Sequence, residues 1–164
     1  MEWAVVLQKC AAALAHIHDK GYIHGDIKHN NIILQNSTGF YEPVIIDFGK
    51  MKKAENAKIY KLNTKERDHY LKCYKHIAPE IVWGKSAASP ASDIYSFGQV
   101  ISLVVYYTKL TGLQKIAKAC KMERLKDGLQ LLMWPWNLLN FINNEHCHCT
   151  HAPPWSTDPY LSNN

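Results

Sequence analysis

No two of the eight glycines, at positions 21, 25, 39, 49, 84, 98, 112 and 128, form a Gly-x-Gly pair. No glycine-rich phosphate cradle can therefore be read in these 164 residues. Long apolar runs are also missing. The longest, Phe97 to Thr108, is interrupted by Gln99 and Ser102 and falls short of the roughly 20 residues a membrane helix needs. The opening residues lack a basic segment ahead of their apolar stretch, and Gln8 and Lys9 break that stretch, so they do not read as a secretory leader. Zinc-finger spacing, an RNP aromatic pattern and a basic region with heptads are absent, which argues against a nucleic-acid module. Cysteine is present in an odd number, five, with Cys10, Cys73 and Cys120 scattered, a usage typical of reduced intracellular proteins. The expectation is a soluble chain of the cytoplasm or nucleus, without membrane or nucleic-acid partners.

Acid is scarce in one stretch. Lys50, Lys52, Lys53, Lys58, Lys61 and Lys65 share a single acidic neighbour, Glu55, and this run contributes much of the net charge of +5. Such a run attracts phosphate or an acidic partner, but its ordinary reading is a solvated, mobile loop.

What is present is organised around one domain's length of chain. Trp3, Val6, Leu7, Cys10, Ala13, Leu14 and Ile17 recur at steps of three and four and predict a helix that Gly21 stops. No capping residue precedes it, so the chain is expected to begin inside a helix, as a truncated domain would. A polar loop follows from His24 to Asn31. The runs Ile32-Ile33-Leu34 and Val44-Ile45-Ile46 predict a hairpin with a long loop between them. A second loop is expected from Asp47 to about Glu80. One helix is expected from Ser92, as cap, to about Tyr107, and another from Leu113 to Leu132.

Chemistry concentrates in the loop HGDIKHNN. Asp26 alone is compatible with a turn residue, and Asn31 alone with a loop-capping amide. As a set, Asp26, Lys28 and Asn31 are the groups phosphoryl transfer requires: a carboxylate that orients a hydroxyl, a cation near the transferring phosphoryl and an oxygen ligand for magnesium. Asp47-Phe48-Gly49 follows a predicted strand twenty-one residues after Asp26 and offers a second hard oxygen, with Gly49 permitting a sharp turn.

With these motifs in order, the chain resembles the C-terminal lobe of eukaryotic protein kinases. HGDIKHNN looks like the catalytic loop, DFG like the magnesium-binding motif, Ala78-Pro79-Glu80 like the end of the activation segment, and SDIYSFG, from Ser92 to Gly98, like the start of the buried anchoring helix. The resemblance implies a mainly α fold with a small β-hairpin, an α+β kinase-like lobe over residues 1–132 and an irregular tail over 133–164. It implies Asp26 as catalytic base, Lys28 on the transferred phosphate, Asn31 and Asp47 as magnesium ligands, ATP and Mg2+ as cofactors and a protein substrate. It implies His24 packed beneath Phe48, and Asp93 accepting hydrogen bonds from the catalytic-loop backbone. Lys28 points to a Ser/Thr-type enzyme.

The chain departs from that pattern in four places. Gly25 stands where many kinases carry the Arg that receives an activation-segment phosphate, so activation independent of that phosphosite is expected. Cys73 takes the place of a threonine that would bond the catalytic Asp and Lys, and a thiol is a weak donor. Lys126-Asp127-Gly128 stands where an arginine would pair with Glu80, leaving a buried carboxylate without a partner. The N-terminal lobe's glycine-rich loop, lysine and glutamate are missing, so weak or no ATP binding by this chain alone is expected. The alternative to an enzyme is a catalytically inactive kinase-like fragment acting as an interaction or regulatory module. His146, Cys147, His148, Cys149 and His151 form a compositional tract that matches no standard structural zinc site.

Overall fold

A computed structural model describes residues 3–37 and 39–122. Helix α1 (Trp3–Asp19) buries Trp3, Val6, Leu7, Cys10, Ala11 and Leu14, the stripe its spacing predicts. Gly21 ends it with φ +76, a conformation glycine adopts without steric cost.

The two-residue strand β1 (Tyr22–Ile23) follows, then a hairpin of β2 (Ile32–Ser37) and β3 (Phe40–Ile45). Six antiparallel pairs run from Ile32↔Ile45 to Ser37↔Phe40. The long loop expected between two short strands is thus mostly strand, closed by a tight turn at Gly39, whose φ is +90. Pro43 lies within β3, which its place in a two-stranded sheet allows. Strand β4 (Lys52–Lys53) pairs with β1, Tyr22 opposite Lys53 and Ile23 opposite Lys52.

The expected second loop holds a helix, α2 (Thr64–Cys73), and a single helical turn, α3 (Pro79–Val82). Helix α2 has no buried residue, so apolar periodicity gives it no signature. Its start is local: the Asn63 side chain accepts from the Glu66 N–H at 3.0 Å, and the Glu66 carboxylate accepts from the Asn63 N–H at 2.9 Å. This reciprocal box satisfies amide groups that the helix end leaves unpaired.

Helix α4 (Pro90–Thr108) is the centre of the lobe. Its cap is Ser89 rather than Ser92. Pro90 takes the first helical position, where its missing N–H costs nothing, and Ser92 stands three residues inside, closing the box back onto Ser89. Ile94, Phe97, Val100, Ile101, Val104 and Val105 pack with the α1 stripe, Ile27, Ile45 and the Leu113, Ala117 and Cys120 face of α5 (Leu113–Cys120) into one core. Gly98 lets α4 and α5 touch: a Cβ there would meet Cys120 Cβ at 2.7 Å. Lys9 on α1 pairs with Glu42 on β3, tying hairpin to helix at the surface.

The fold class is as expected, mostly helical with small antiparallel sheets. The extension of α5 to Leu132, the Lys126-Asp127-Gly128 stretch, the tail and its His/Cys tract lie outside the described residues. Glu80 is half-buried, so its carboxylate keeps access to water and avoids the cost expected for a buried orphan. No helix among the described residues is long and apolar enough to cross a membrane.

Candidate functional site

The site is built where three elements converge on the polar loop between β1 and β2. Asp93, in the first turn of α4, is buried and receives the loop's backbone. His24 N–H donates to its Oδ2 at 2.8 Å and Gly25 N–H to its Oδ1 at 2.9 Å, while His18 Nε2 lies 3.0 Å from Oδ2. A buried carboxylate needs such partners to offset its desolvation. His24 is itself fully buried. Its Nδ1 accepts from the Asp26 N–H at 3.3 Å, which leaves Nε2 to donate to the Ile46 carbonyl at 3.2 Å. Its ring sits 5.2 Å from that of Phe48. The loop is thereby fastened to α4 on one side and to the Asp-Phe-Gly turn on the other.

Asp26 is the focus. Its side chain is 4 % exposed. Lys28 Nζ donates to Oδ2 at 2.9 Å, and Asn31 Nδ2 donates to the Asp26 backbone carbonyl at 2.9 Å and to Oδ2 at 3.3 Å. Two further groups reach Oδ1: Lys50 Nζ at 3.0 Å and His76 Nε2 at 3.4 Å. Burial opposes ionisation of this carboxyl. The hydrogen bonds and charges of Lys28 and Lys50 outweigh it and hold the pKa at about 2, below the ordinary 3.8. His76 is shifted down by burial, with Asp26 pulling the other way and the two lysines adding to the fall. It therefore faces Asp26 mainly as a neutral imidazole at pH 7.

Asp47 is exposed and left-handed, with φ +63. The Gly49 N–H donates to its Oδ1 at 3.3 Å, closing the turn. The Ile46 N–H donates to the Asn31 carbonyl at 2.9 Å, so the residue before Asp47 is tied to Asn31. Because the Asn31 amide nitrogen is spent on Asp26, its side-chain oxygen is left as the acceptor. Among the described residues no group of three His, Cys, Asp or Glu forms a metal cage. One carboxylate and one amide oxygen are the sparse protein share by which magnesium is held when substrate phosphates and water complete its shell. The donor set fits that ion.

Asp26 thus bonds directly to Lys28 and to Asn31, and Ile46, the residue before Asp47, bonds to the Asn31 carbonyl. Two residues of the site were not singled out beforehand. By sequence Lys50 belongs to a lysine run with the pattern of a solvated loop, and its place directly after Gly49 is the one local signal that sets it apart. His76 reaches Asp26 in place of the Cys73 contact. Cys73 stands exposed at the end of α2, its Sγ 3.7 Å from His69 Nδ1 one turn back. The helix in the segment carries it away from Asp26. Cys10 is inert by burial, its thiol pushed up to about 12.

The protein kinase domain profile matches residues 2–146. The chain belongs to the protein kinase family. It is similar to the meiosis induction protein kinase of Saccharomyces cerevisiae, 26% identical over 164 residues, covering 91% of this chain and 23% of that protein. It is also similar to serine/threonine-protein kinase D of Synechocystis, 35% identical over 103 residues, covering 63% and 19%. A third relative is a probable serine/threonine-protein kinase of Dictyostelium discoideum, 31% identical over 143 residues, covering 86% and 9%. The chain therefore spans less than a quarter of the length of these relatives.

Proposed function

We propose that this chain carries the phosphate-transfer site of a Ser/Thr-type protein kinase, moving the terminal phosphoryl of ATP to a protein hydroxyl. The observation that supports this most is one carboxylate, Asp26, bonded at the same oxygen by Lys28 and Asn31, with Asp47 tethered alongside. Asp26, ionised at neutral pH, orients the incoming Ser or Thr hydroxyl and accepts its proton late in transfer. Lys28, hydrogen-bonded to Asp26, is placed to contact the moving phosphoryl. Asn31 and Asp47 would hold magnesium, which when bound with ATP offsets phosphate charge. His24 and Asp93 position the loop and touch no substrate. For Asp26 to take a hydroxyl at Oδ1, the largely exposed Lys50 must swing away.

The test is transfer of label from γ-labelled ATP to Ser- and Thr-containing peptides at millimolar magnesium-ATP. Asp26→Asn should lower the rate at least about a hundredfold. Transfer that persists unchanged in that variant ends the assignment. These 164 residues by themselves contain no glycine-rich phosphate loop, and weak magnesium-ATP affinity is expected of them in calorimetry.

One observation favours a second reading, a kinase-like interaction module: both Asp26 oxygens are engaged within the chain. Absence of any transfer, together with a protein partner retained by Asp26→Asn, would support it.

A further inference from the structure

Beneath the segment that follows the Asp-Phe-Gly turn lies a cavity of about 350 Å³, between that segment, α3, the start of α4 and Gly25. This is within the range of small-molecule sites. Leu62, Ile77, Ile81, Val82 and Ala88 give it apolar walls. Gly25 leaves the floor free of any side chain. At φ +78, with a Cβ that would sit 3.1 Å from the Lys50 carbonyl oxygen, position 25 suits glycine alone.

The polar groups of the lining divide in two. Those on the α4 side are already engaged: Asp93 takes three donors, Ser92 Oγ donates to the Ser89 carbonyl at 2.7 Å, and Ser96 Oγ to the His76 carbonyl at 2.6 Å. The rest of the lining includes His76, whose Nε2 lies 3.4 Å from Asp26 Oδ1, and two lysines, Lys50 and Lys52. Lys50 directs a hydrogen to Asp26, and Lys52 lies 5.8 Å from the centre of the Tyr60 ring, also a lining residue. Apolar walls argue against a cavity that serves water alone. Two lysines in the lining argue against a plain hydrocarbon.

We propose that this cavity binds a small amphipathic anion, its ring or chain among Leu62, Ile77, Ile81 and Val82 and its carboxylate or sulfonate against Lys50 and Lys52. The inference does not depend on phosphotransfer. It does connect to the site, because Lys50 serves both: an anion in the cavity competes with Asp26 Oδ1 for the same ammonium.

The probe is 2-naphthoate, titrated into the full chain by calorimetry, with 2-naphthamide as its neutral isostere and inorganic phosphate as a bare anion. Saturable one-to-one binding of naphthoate is expected, weakened about tenfold by Lys52→Met, as loss of one charge-assisted contact should do. Ala88→Trp, which fills the cavity, should abolish it while the unfolding midpoint shows the variant folded. Should Ala88→Trp not fold, Lys52→Met decides by itself. The proposal is overturned by no saturable naphthoate binding, by equal binding of the amide, by phosphate binding as tightly, or by affinity unchanged in Lys52→Met or in a folded Ala88→Trp.

Discussion

Residues 22–31 and residues 50–77 both supply groups to Asp26, but they are held in opposite ways. The first stretch is short and buried: His24, Asp26, Asn31 and the Asp93 that anchors them are each 5 % exposed or less. Its bonds reach far along the chain, to Ile46 and to Asp93, so it is as stable as the core it hangs on. The second stretch carries α2, which buries nothing and is secured by its own capping box, by Arg67 over the Trp83 ring at 4.8 Å and by the tilted ring contact of Tyr70 with Tyr74. The bonds of α2 are local and face water, whereas β4, Lys50 and His76 reach back to residues 21–26. One half of this site is preorganised by tertiary packing, while α2 in the other buries nothing and is expected to open without unfolding the lobe.

The largest way to break that contrast is Asp93→Ala. It strips two backbone N–H groups, that of His24 buried and that of Gly25 part-buried, of their acceptor and should cost about 3 kcal/mol, read as a lower denaturation midpoint. Loss of less than about 1 kcal/mol would mean that the loop is not held from α4. Next is Gly98→Ala, which forces α4 from α5 and should cost about 2 kcal/mol by overpacking. Local amide exchange in residues 64–73 should be the same as in the parent chain.

Acid gives a third, smaller effect. The Asp26 carboxyl has a folded pKa of about 2 against an ordinary 3.8, so its contribution is complete above pH 4 and disappears as pH falls through about 2. Since Lys50 is largely exposed and screened, the contribution should be about 1 kcal/mol. The acid slope of stability between pH 4 and 2 should be shallower in Asp26→Asn. The smallest effect is expected from Asn63→Ala. Loss of the cap should cost α2 about 1 kcal/mol, visible as faster amide exchange in residues 64–73 with the global midpoint almost unchanged. A large global loss would show that the two regions are one cooperative unit.

The expected α1 and α4 were legible because each presents one apolar stripe to a common core. Helix α2 was not legible that way, since TKERDHYLKC has no stripe to find. Its signature was the Asn63–Glu66 pair, a cue of capping rather than of burial. The hairpin is where the two apolar runs put it but its strands are longer, because the intervening NSTGFYEP is rich in turn formers such as Asn36, Gly39 and Pro43. In the site, Asp26, Lys28 and Asn31 were visible together because they lie within six residues of one another. The short loop leaves few ways to arrange the three side chains.

The sequence alone determined the family, the order of its motifs and the two helices that frame the core, because spacing, turn chemistry and apolar period act over a few residues. Only the tertiary structure decided that Lys50 and His76, separated from Asp26 by 24 and 50 positions, meet its second oxygen. Lys50 stands in a lysine run and His76 between Lys75 and Ile77, and neither position names Asp26 as its partner. Their meeting follows from how the segment after the Asp-Phe-Gly turn folds back over α4, and that path is fixed by packing between distant parts of the chain.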